Sequence, residues 1–327
     1  MTPGGYVNFE SGELPTRAAV VGAGLMGNAI AQLMALHGIQ TTIADVSHDA
    51  ANAGRERAVS IASVYESQHL FEVGSTELVA SRLHAAGSIG EAVAGAEYVL
   101  EAVTEDPHVK QDVYEQLGRA EPDAIIATNT SAIPIGELAS SIRDPSRFLG
   151  THWFNPPQWV PCVEVIPGQE TREQVVDTVV TLLEHLGKWP VRVGDAAGFV
   201  ANRIQFAMFK EAVAVVEEGI ATPAQVDAVV QGSFGFRLPF FGPFLIADMA
   251  GLDVYTGAYA ALAAHFGPRL EAPSILRTLV DADRLGIKHN GGFFDSANSD
   301  LRARVEARDW AFNELKRLVE RAIDWRK

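Results

Sequence analysis

One cysteine in 327 residues, Cys162, excludes an intrachain disulfide and any thiolate cage around a metal, and agrees with a reducing compartment. Its neighbours Val160, Pro161 and Val163 offer nothing to depress a thiol pKa, so it reads as a small core residue and no metal is expected. Cations are scarce as well: 26 Lys and Arg against 41 Asp and Glu leave a net charge of −15. Such a field repels phosphate backbones and anionic lipid, so nucleic acid is not an expected partner. No apolar run approaches the roughly 18 residues of a membrane span, and Met1 to Thr16 lacks the basic-then-apolar order of a secretory signal. A cytoplasmic protein with no membrane partner is the expectation. Repeats and low-complexity tracts are absent too.

What is present is material for a packed core, with 47% of residues apolar and 20% charged. The length favours two domains. After a polar leader, residues 1–16, the run Ala18-Ala19-Val20-Val21 stops at glycine and reads as a buried strand. Gly22-Ala23-Gly24-Leu25-Met26-Gly27 follows, then a helical pattern through Ile30, Leu33, Met34 and His37 that Gly38 ends. A second strand, Gln40 to Ala44, finishes on Asp45. Further strand-like runs at 98–100, 124–127 and 148–151 alternate with helical or turn segments, which predicts an α/β domain over 17–197, a doubly wound parallel sheet of Rossmann type. Residues 48–90 lack strand character and are expected to form a helical hairpin, with Ser75 and Thr76 available to cap its second helix. Beyond Gly198 the β signals fade. Thr222-Pro223 opens a helix in the cap-then-proline arrangement, and 198–327 reads as an all-helical domain ending in one amphipathic helix through Leu301, Val305, Phe312, Leu315, Val319 and Ala322.

In its strand–turn–helix context the glycine motif acquires a mechanism. Gly22 permits the tight turn, Gly24 lets a pyrophosphate approach the helix N-terminus, and Gly27 lets the helix pack on the sheet. Asp45 is placed to accept hydrogen bonds from a ribose diol and would repel a 2′-phosphate, so NAD is expected over NADP. A second constellation comprises Asn129-Thr130-Ser131, the run from Thr151-His152 to Asn155-Pro156-Pro157, and Glu164 between Val163 and Val165. By residue type alone His152 fits a satisfied core histidine and Glu164 a solvent-facing residue. If Glu164 is buried it needs a partner, and an imidazole held by a carboxylate makes a general base tuned near neutral pH.

At these residues the sequence resembles the L-3-hydroxyacyl-CoA dehydrogenases and their relatives acting on other 3-hydroxy acids. The resemblance spans nearly the whole chain. It rests on the glycine motif, Glu101 to Glu105 with Lys110, Asn129 to Ser131, His152 to Asn155 with Glu164 twelve residues after the histidine, Gly198 to Arg203, and Gly242-Pro243-Phe244 with Asp248 and Gly251 to Asp253. It implies His152 as catalytic base and Glu164 as its orienting partner, with Ser131, Asn155 and Asn202 holding the substrate oxygen or the histidine. Glu105 and Lys110 would contact the nicotinamide half of NAD, and Lys288 would also reach the cofactor. The helical domain would carry a homodimer interface.

Two departures bear on the substrate. In the CoA-using members the hairpin carries lysines and a serine for the nucleotide end of CoA, whereas residues 48–90 here contain no lysine. Arg55, Arg57 and Ser60 are the residues left for that task. Aromatic residues also crowd the expected site, with Trp153 where the family usually has Phe, Trp159 close by, and Phe234, Phe236, Phe240 and Phe241 before Gly242. Core packing explains such aromatics, and so does a pocket for a compact or cyclic carboxylate with Arg237 as clamp. The first expectation is a short-chain L-3-hydroxyacyl-CoA dehydrogenase. The rivals are a dehydrogenase of a free hydroxy acid, such as a sugar acid, a carnitine-like molecule or a cyclic carboxylate, and a non-catalytic dinucleotide-binding protein.

Overall fold

Apolar runs bounded by glycine and by polar turns become the strands of a single sheet in the computed structural model, which describes residues 14–120, 124–287, 289–295 and 299–322. The chain divides into two compact units, 1–208 and 209–327. In the first unit β1 (Arg17–Val21) leads through α1 (Leu25–Leu36) to β2 (Gln40–Ala44), and α2 (His48–Ser67) and α3 (Ser75–Arg82) form the hairpin. Then come β3 (Leu83–Ala85), α4 (Ile89–Val93), β4 (Tyr98–Glu101), α5 (Pro107–Ala120), β5 (Ile125–Thr128) and α6 (Ile135–Ala139). The unit continues through β6 (Phe148–Trp153), β7 (Cys162–Pro167), α7 (Glu173–His185) and β8 (Trp189–Arg192) into α8 (Ala201–Glu217), within which the division falls.

The strand order is β3-β2-β1-β4-β5-β6-β7-β8, so the direction of winding reverses between β1 and β4 and opens a crevice at their carboxyl ends. Alternate residues serve opposite faces. Val20, Ile43, Leu100 and Val165 join the cluster that holds Ile30 of α1 and Val179 of α7, while Val21, Val99, Ile126 and Ile166 join the one that holds Val113 and Leu117 of α5. Both faces are covered, which is why these strands read as continuous apolar runs.

In the first unit three expectations need correction. The sheet is not wholly parallel: β6 and β7 are antiparallel, because the residues between them are too few for a crossover helix. The segment 48–90 contains a strand, since Leu83–Ala85 pairs in parallel with β2 at the sheet edge. Three residues without a β-branched side chain give no strand signal. The cap of α3 is supplied not by Ser75 or Thr76 but by Glu66 of α2, whose carboxylate accepts from Gly74 N at 2.8 Å and from Thr76 N and Oγ1 at 2.8 and 2.6 Å.

The second unit holds the rest of α8 and is helical: α9 (Pro223–Gly232), α10 (Phe234–Arg237), α11 (Pro243–Ala250), α12 (Leu252–Phe266), α13 (Ser274–Asp281), α14 (Ser299–Glu306) and α15 (Arg308–Ala322). Thr222 caps α9 in a capping box, as its cap-then-proline sequence implies. The expected single terminal helix is two, broken between Glu306 and Arg308, although Val305 and Phe312 do pack on the cluster of Phe241, Leu245 and Ile246. Phe236, Phe240 and Phe241 each meet the ring of Phe312, so this aromatic group is core packing. Buried Asp248 accepts from Phe293 N and Phe294 N and fixes the late glycine-rich loop, where a Cβ on Gly292 would lie 2.1 Å from its carboxylate.

Candidate active site

The glycine turn is shaped by steric necessity. Gly22 has φ +107°, and a Cβ there would stand 2.5 Å from the Ala102 carbonyl oxygen, while one on Gly27 would stand 1.8 Å from that of Gly22. A Cβ on Gly24 meets nothing within 4 Å, so the space in front of the α1 N-terminus is open. No side chain caps that terminus and no acidic residue lies in its first turn. Leu25, 67% exposed, and half-buried Met26 continue the turn. Asp45 closes it from behind: Oδ2 accepts from Ala23 N at 2.6 Å and Oδ1 from Val46 N at 2.7 Å. A cleft of about 570 Å³ opens here, lined by Gly22, Gly24, Asp45, Ser88, Asp112 and Gln116 among others. Ser88, Asp112 and Gln116 were missed in the sequence because they reach the cleft from α5 and the start of α4, far from any motif.

His152 and Glu164 are cross-strand partners in the β6–β7 ladder, which turns a separation of twelve residues into direct contact. His152 Nδ1 lies 2.7 Å from Glu164 Oε2, and both side chains are 4% exposed. With a carboxylate as acceptor Nδ1 carries the proton, which leaves Nε2 as the free base. The other oxygen of Glu164 accepts from Val200 N and Ala201 N, both at 3.0 Å, where the chain enters α8. Burial pushes the Glu164 carboxyl up, but the hydrogen bonds from His152, Ala201 and Val200 outweigh it and hold the group below its ordinary 4.5. The imidazole is boxed by Phe154 and Phe199, with ring centroids at 4.5 and 5.7 Å. Phe199 has φ +48°, a strained conformation for a bulky residue, held here by its burial beside the histidine.

Ser131 is positioned through its backbone. Glu105 Oε1 accepts from Thr130 Oγ1 at 2.6 Å, Ser131 N at 2.7 Å and Ala132 N at 3.1 Å, and Asn202 Nδ2 donates to the Ser131 carbonyl at 2.7 Å. Burial raises the Glu105 carboxyl, yet the Thr130 bond, the charge of Lys110 and the two backbone donors hold it below 4.5. Lys110 is wholly buried and gives its ammonium to Glu101 Oε1 at 2.8 Å and Glu105 Oε2 at 3.3 Å. Asn129 Oδ1 accepts from Trp153 N, tying the end of β5 to the end of β6. Asn155 is exposed just past β6.

Of the residues expected to meet the substrate, the hairpin arginines hold backbone carbonyls. Arg55 donates to the Leu83 carbonyl at 2.6 Å and the Ala80 carbonyl at 3.0 Å, and Arg57 donates to the Ala23 carbonyl at 2.8 Å. Ser60 is exposed. Arg237 is half-buried in the second unit, and Lys288 lies outside the described residues. Trp159 forms an aromatic cluster with Tyr65 and Phe71 of the hairpin, with centroids 5.3 and 5.7 Å away. Trp153 is buried beneath Lys188, whose ammonium is 5.9 Å from the ring and whose pKa burial pushes down. Cys162 is half-buried, its thiol pKa raised by burial and by the Glu164 charge. Among the described residues no group of three or more His, Cys, Asp or Glu is arranged to hold a metal ion.

The NAD-binding domain of the 3-hydroxyacyl-CoA dehydrogenases matches residues 17–196, and the C-terminal domain of the same enzymes matches 198–296. The chain is 35% identical over 305 residues to 5-formyl-3-hydroxy-2-methylpyridine 4-carboxylate 5-dehydrogenase of Mesorhizobium japonicum, covering 92% of this chain and 97% of that one. It is 35% identical over 280 residues to a probable 3-hydroxybutyryl-CoA dehydrogenase of Deinococcus radiodurans, covering 84% and 98%. A crystal structure of a 3-hydroxyacyl-CoA dehydrogenase from Archaeoglobus fulgidus matches with TM-score 0.77 at 30% identity, over 93% of this chain and 99% of that one.

Proposed function

The chain belongs to the 3-hydroxyacyl-CoA dehydrogenase family of NAD-dependent oxidoreductases, and from that premise we propose that it interconverts a short-chain L-3-hydroxyacyl-CoA and its 3-keto form with His152 as acid and base. The observation that carries this reading is the buried 2.7 Å bond between His152 and Glu164. The residues present fit NAD: the uncapped α1 N-terminus faces open space at Gly24, and Asp45 lines the same cleft. Bound NAD supplies the acceptor for the hydride of the carbinol carbon. In oxidation His152 Nε2 takes the proton of the substrate hydroxyl, and Glu164 stabilises the imidazolium that forms. In reduction the histidine returns it. The Ser131 hydroxyl and the Asn155 amide are the donors for charge on the substrate oxygen. Asn202 donates to the Ser131 carbonyl and so holds that turn, with its second amide hydrogen and its oxygen left for the substrate or the histidine.

One observation favours a second reading, a free hydroxy acid in place of the CoA ester. Arg55 and Arg57 each spend guanidinium donors on backbone carbonyls, and the hairpin has no lysine to add for a nucleotide tail. The relative from Mesorhizobium japonicum is named for a pyridine carboxylate. A homodimer through the helical unit accords with its apolar surface: Phe209, Ile220, Val229, Val254, Ile275 and Trp310 are 58–69% exposed. A cytoplasmic enzyme of fatty acid metabolism accords with the first reading. Among the described residues no helix is long and apolar enough to cross a membrane.

The deciding experiment follows NADH absorbance with acetoacetyl-CoA, with free acetoacetate and, in reverse, with a panel of free 3-hydroxy acids and NAD. Oxidation of NADH with the CoA ester alone supports the first reading, and activity confined to a free acid supports the second. A His152→Gln variant should lose turnover while keeping NADH affinity; persistent turnover would remove His152 as the base.

A further inference from the structure

Glu101 ends β4 in an otherwise apolar run, is wholly buried, and has no part in the reaction as derived so far. Its carboxylate accepts from Val103 N at 2.8 Å, Lys110 Nζ at 2.8 and 3.0 Å, Tyr114 Oη at 2.7 Å and Thr128 Oγ1 at 2.7 Å. So many donors on one buried carboxylate answer a charge that must be kept, because a buried ion without full pairing is costly. The charge it answers is that of Lys110, which sits between two carboxylates, wholly buried Glu101 and the partly exposed Glu105. Glu105 in turn fixes the Ser131 and Ala132 amides. From Ser131 the bonds continue through Asn202 to the start of α8, where the Val200 and Ala201 amides hold Glu164, and so to His152.

We propose that Glu101 is a positioning residue for the reaction: by holding the Lys110 ammonium in the protein interior it leaves Glu105 free to clamp the Ser131 turn beside the catalytic histidine. The proposal rests on the reading of Ser131 and His152 as the reaction centre. Without the Glu101 charge, the carboxylate remaining to Lys110 is Glu105, and the ammonium, already 3.3 Å away, draws it off the Ser131 and Ala132 amides. Removing both Glu101 and Lys110 charges takes away that pull and lets Glu105 return to the turn.

The test is amide hydrogen exchange of a peptide spanning 129–133, measured on the full chain for the parent, Glu101→Gln, and Glu101→Gln combined with Lys110→Met. The single variant should exchange the Ser131 and Ala132 amides at least about tenfold faster, the equivalent of one decade in the opening equilibrium, and the double variant should return them towards the parent rate. With whichever substrate the parent turns over, kcat of the single variant should fall by roughly 10- to 100-fold, the scale of a misplacement of about 1 Å. A single variant that exchanges like the parent, or a double variant no better protected than the single, overturns the proposal. If Glu101→Gln does not fold, a folded double variant with protected amides supports it, and a double variant that is unfolded or unprotected overturns it. Exchange needs no substrate, so failure here and failure of the functional reading are read separately.

Discussion

Glu164→Gln is the perturbation that discriminates most sharply, because the two oxygens of this carboxylate have different obligations. Oε1 accepts from two backbone amides at the entrance to α8, and Oε2 accepts from His152 Nδ1. A glutamine has one oxygen for both. The amides of Val200 and Ala201 belong to the backbone and cannot turn, so the glutamine keeps its oxygen there and presents its NH₂ to the histidine. Two donors cannot share the 2.7 Å bond, so the imidazole moves its proton to Nε2, the nitrogen that must be empty to accept the substrate proton. The imidazolium formed in turnover also loses its buried counter-charge. Breaking a buried pair by removing one partner costs roughly 3–5 kcal/mol, which at about 1.4 kcal/mol per decade is roughly two to four orders of magnitude in kcat. The assay is kcat in the oxidative direction across pH, with melting temperature and NADH affinity as controls. The expected result is a large fall in kcat with NADH affinity little changed. A folded Glu164→Gln protein with kcat within about threefold of the parent and an unshifted pH profile would refute the reasoning.

Gly22→Ala should reduce melting stability by more than about 1 kcal/mol and weaken NADH binding in a fluorescence titration, since φ +107° and the Ala102 carbonyl 2.5 Å from the new Cβ leave no unstrained solution. Asp45→Ala should raise the Kd for NADH by roughly 10- to 100-fold, the range for a lost hydrogen bond to a charged group, and should narrow the preference over NADPH; equal affinities before and after would remove Asp45 from ribose recognition. Arg55→Met should lower thermal stability by about 1–3 kcal/mol because it strands the Leu83 and Ala80 carbonyls; an unchanged melt with a raised KM for a CoA ester would return Arg55 to substrate binding. Glu105 and Glu164 are both held below their ordinary 4.5, so they add stability that is complete above that pH and is lost as pH falls through their lowered folded values. Melting temperature should therefore drop more steeply below pH 4.5 for the parent than for Glu164→Gln, and parallel curves would contradict that sign.

The first βαβ unit is legible in the sequence because every signal in it is local: an apolar run, three glycines at fixed spacing, a helical period and a terminal Asp45. His152 and Glu164 are legible for a related reason, since one short connection joins their strands. Glu101 is not, because its partners stand two, nine, thirteen and twenty-seven residues away and meet only once β4, α5 and β5 are assembled. A glutamate ending an apolar strand, with a lysine nine residues later, was the available signal. The hairpin arginines show a different limit. Sequence counts their charge, but whether a guanidinium is free depends on the carbonyls within reach, and Arg55 finds two at the end of α3 and the start of β3. The aromatic run before Gly242 could have lined a pocket, and Phe312, some 70 residues later, gathers Phe236, Phe240 and Phe241 of it into a packed group.

The antiparallel β6–β7 pair that departs from the expected parallel sheet is also what makes the acid–base pair. Antiparallel register sets His152 directly opposite Glu164, and partners opposite one another project to the same face, where side chains stand within hydrogen-bond reach. A slip of one residue would send Glu164 to the other face and bring Val163 or Val165 opposite the histidine. The register is in turn fixed by burial, since Val163 and Val165 occupy the core on the face that Glu164 leaves. The alternation Val163-Glu164-Val165 thus serves two ends at once: the valines anchor the strand by packing, and that anchoring aims the one carboxylate between them at the histidine.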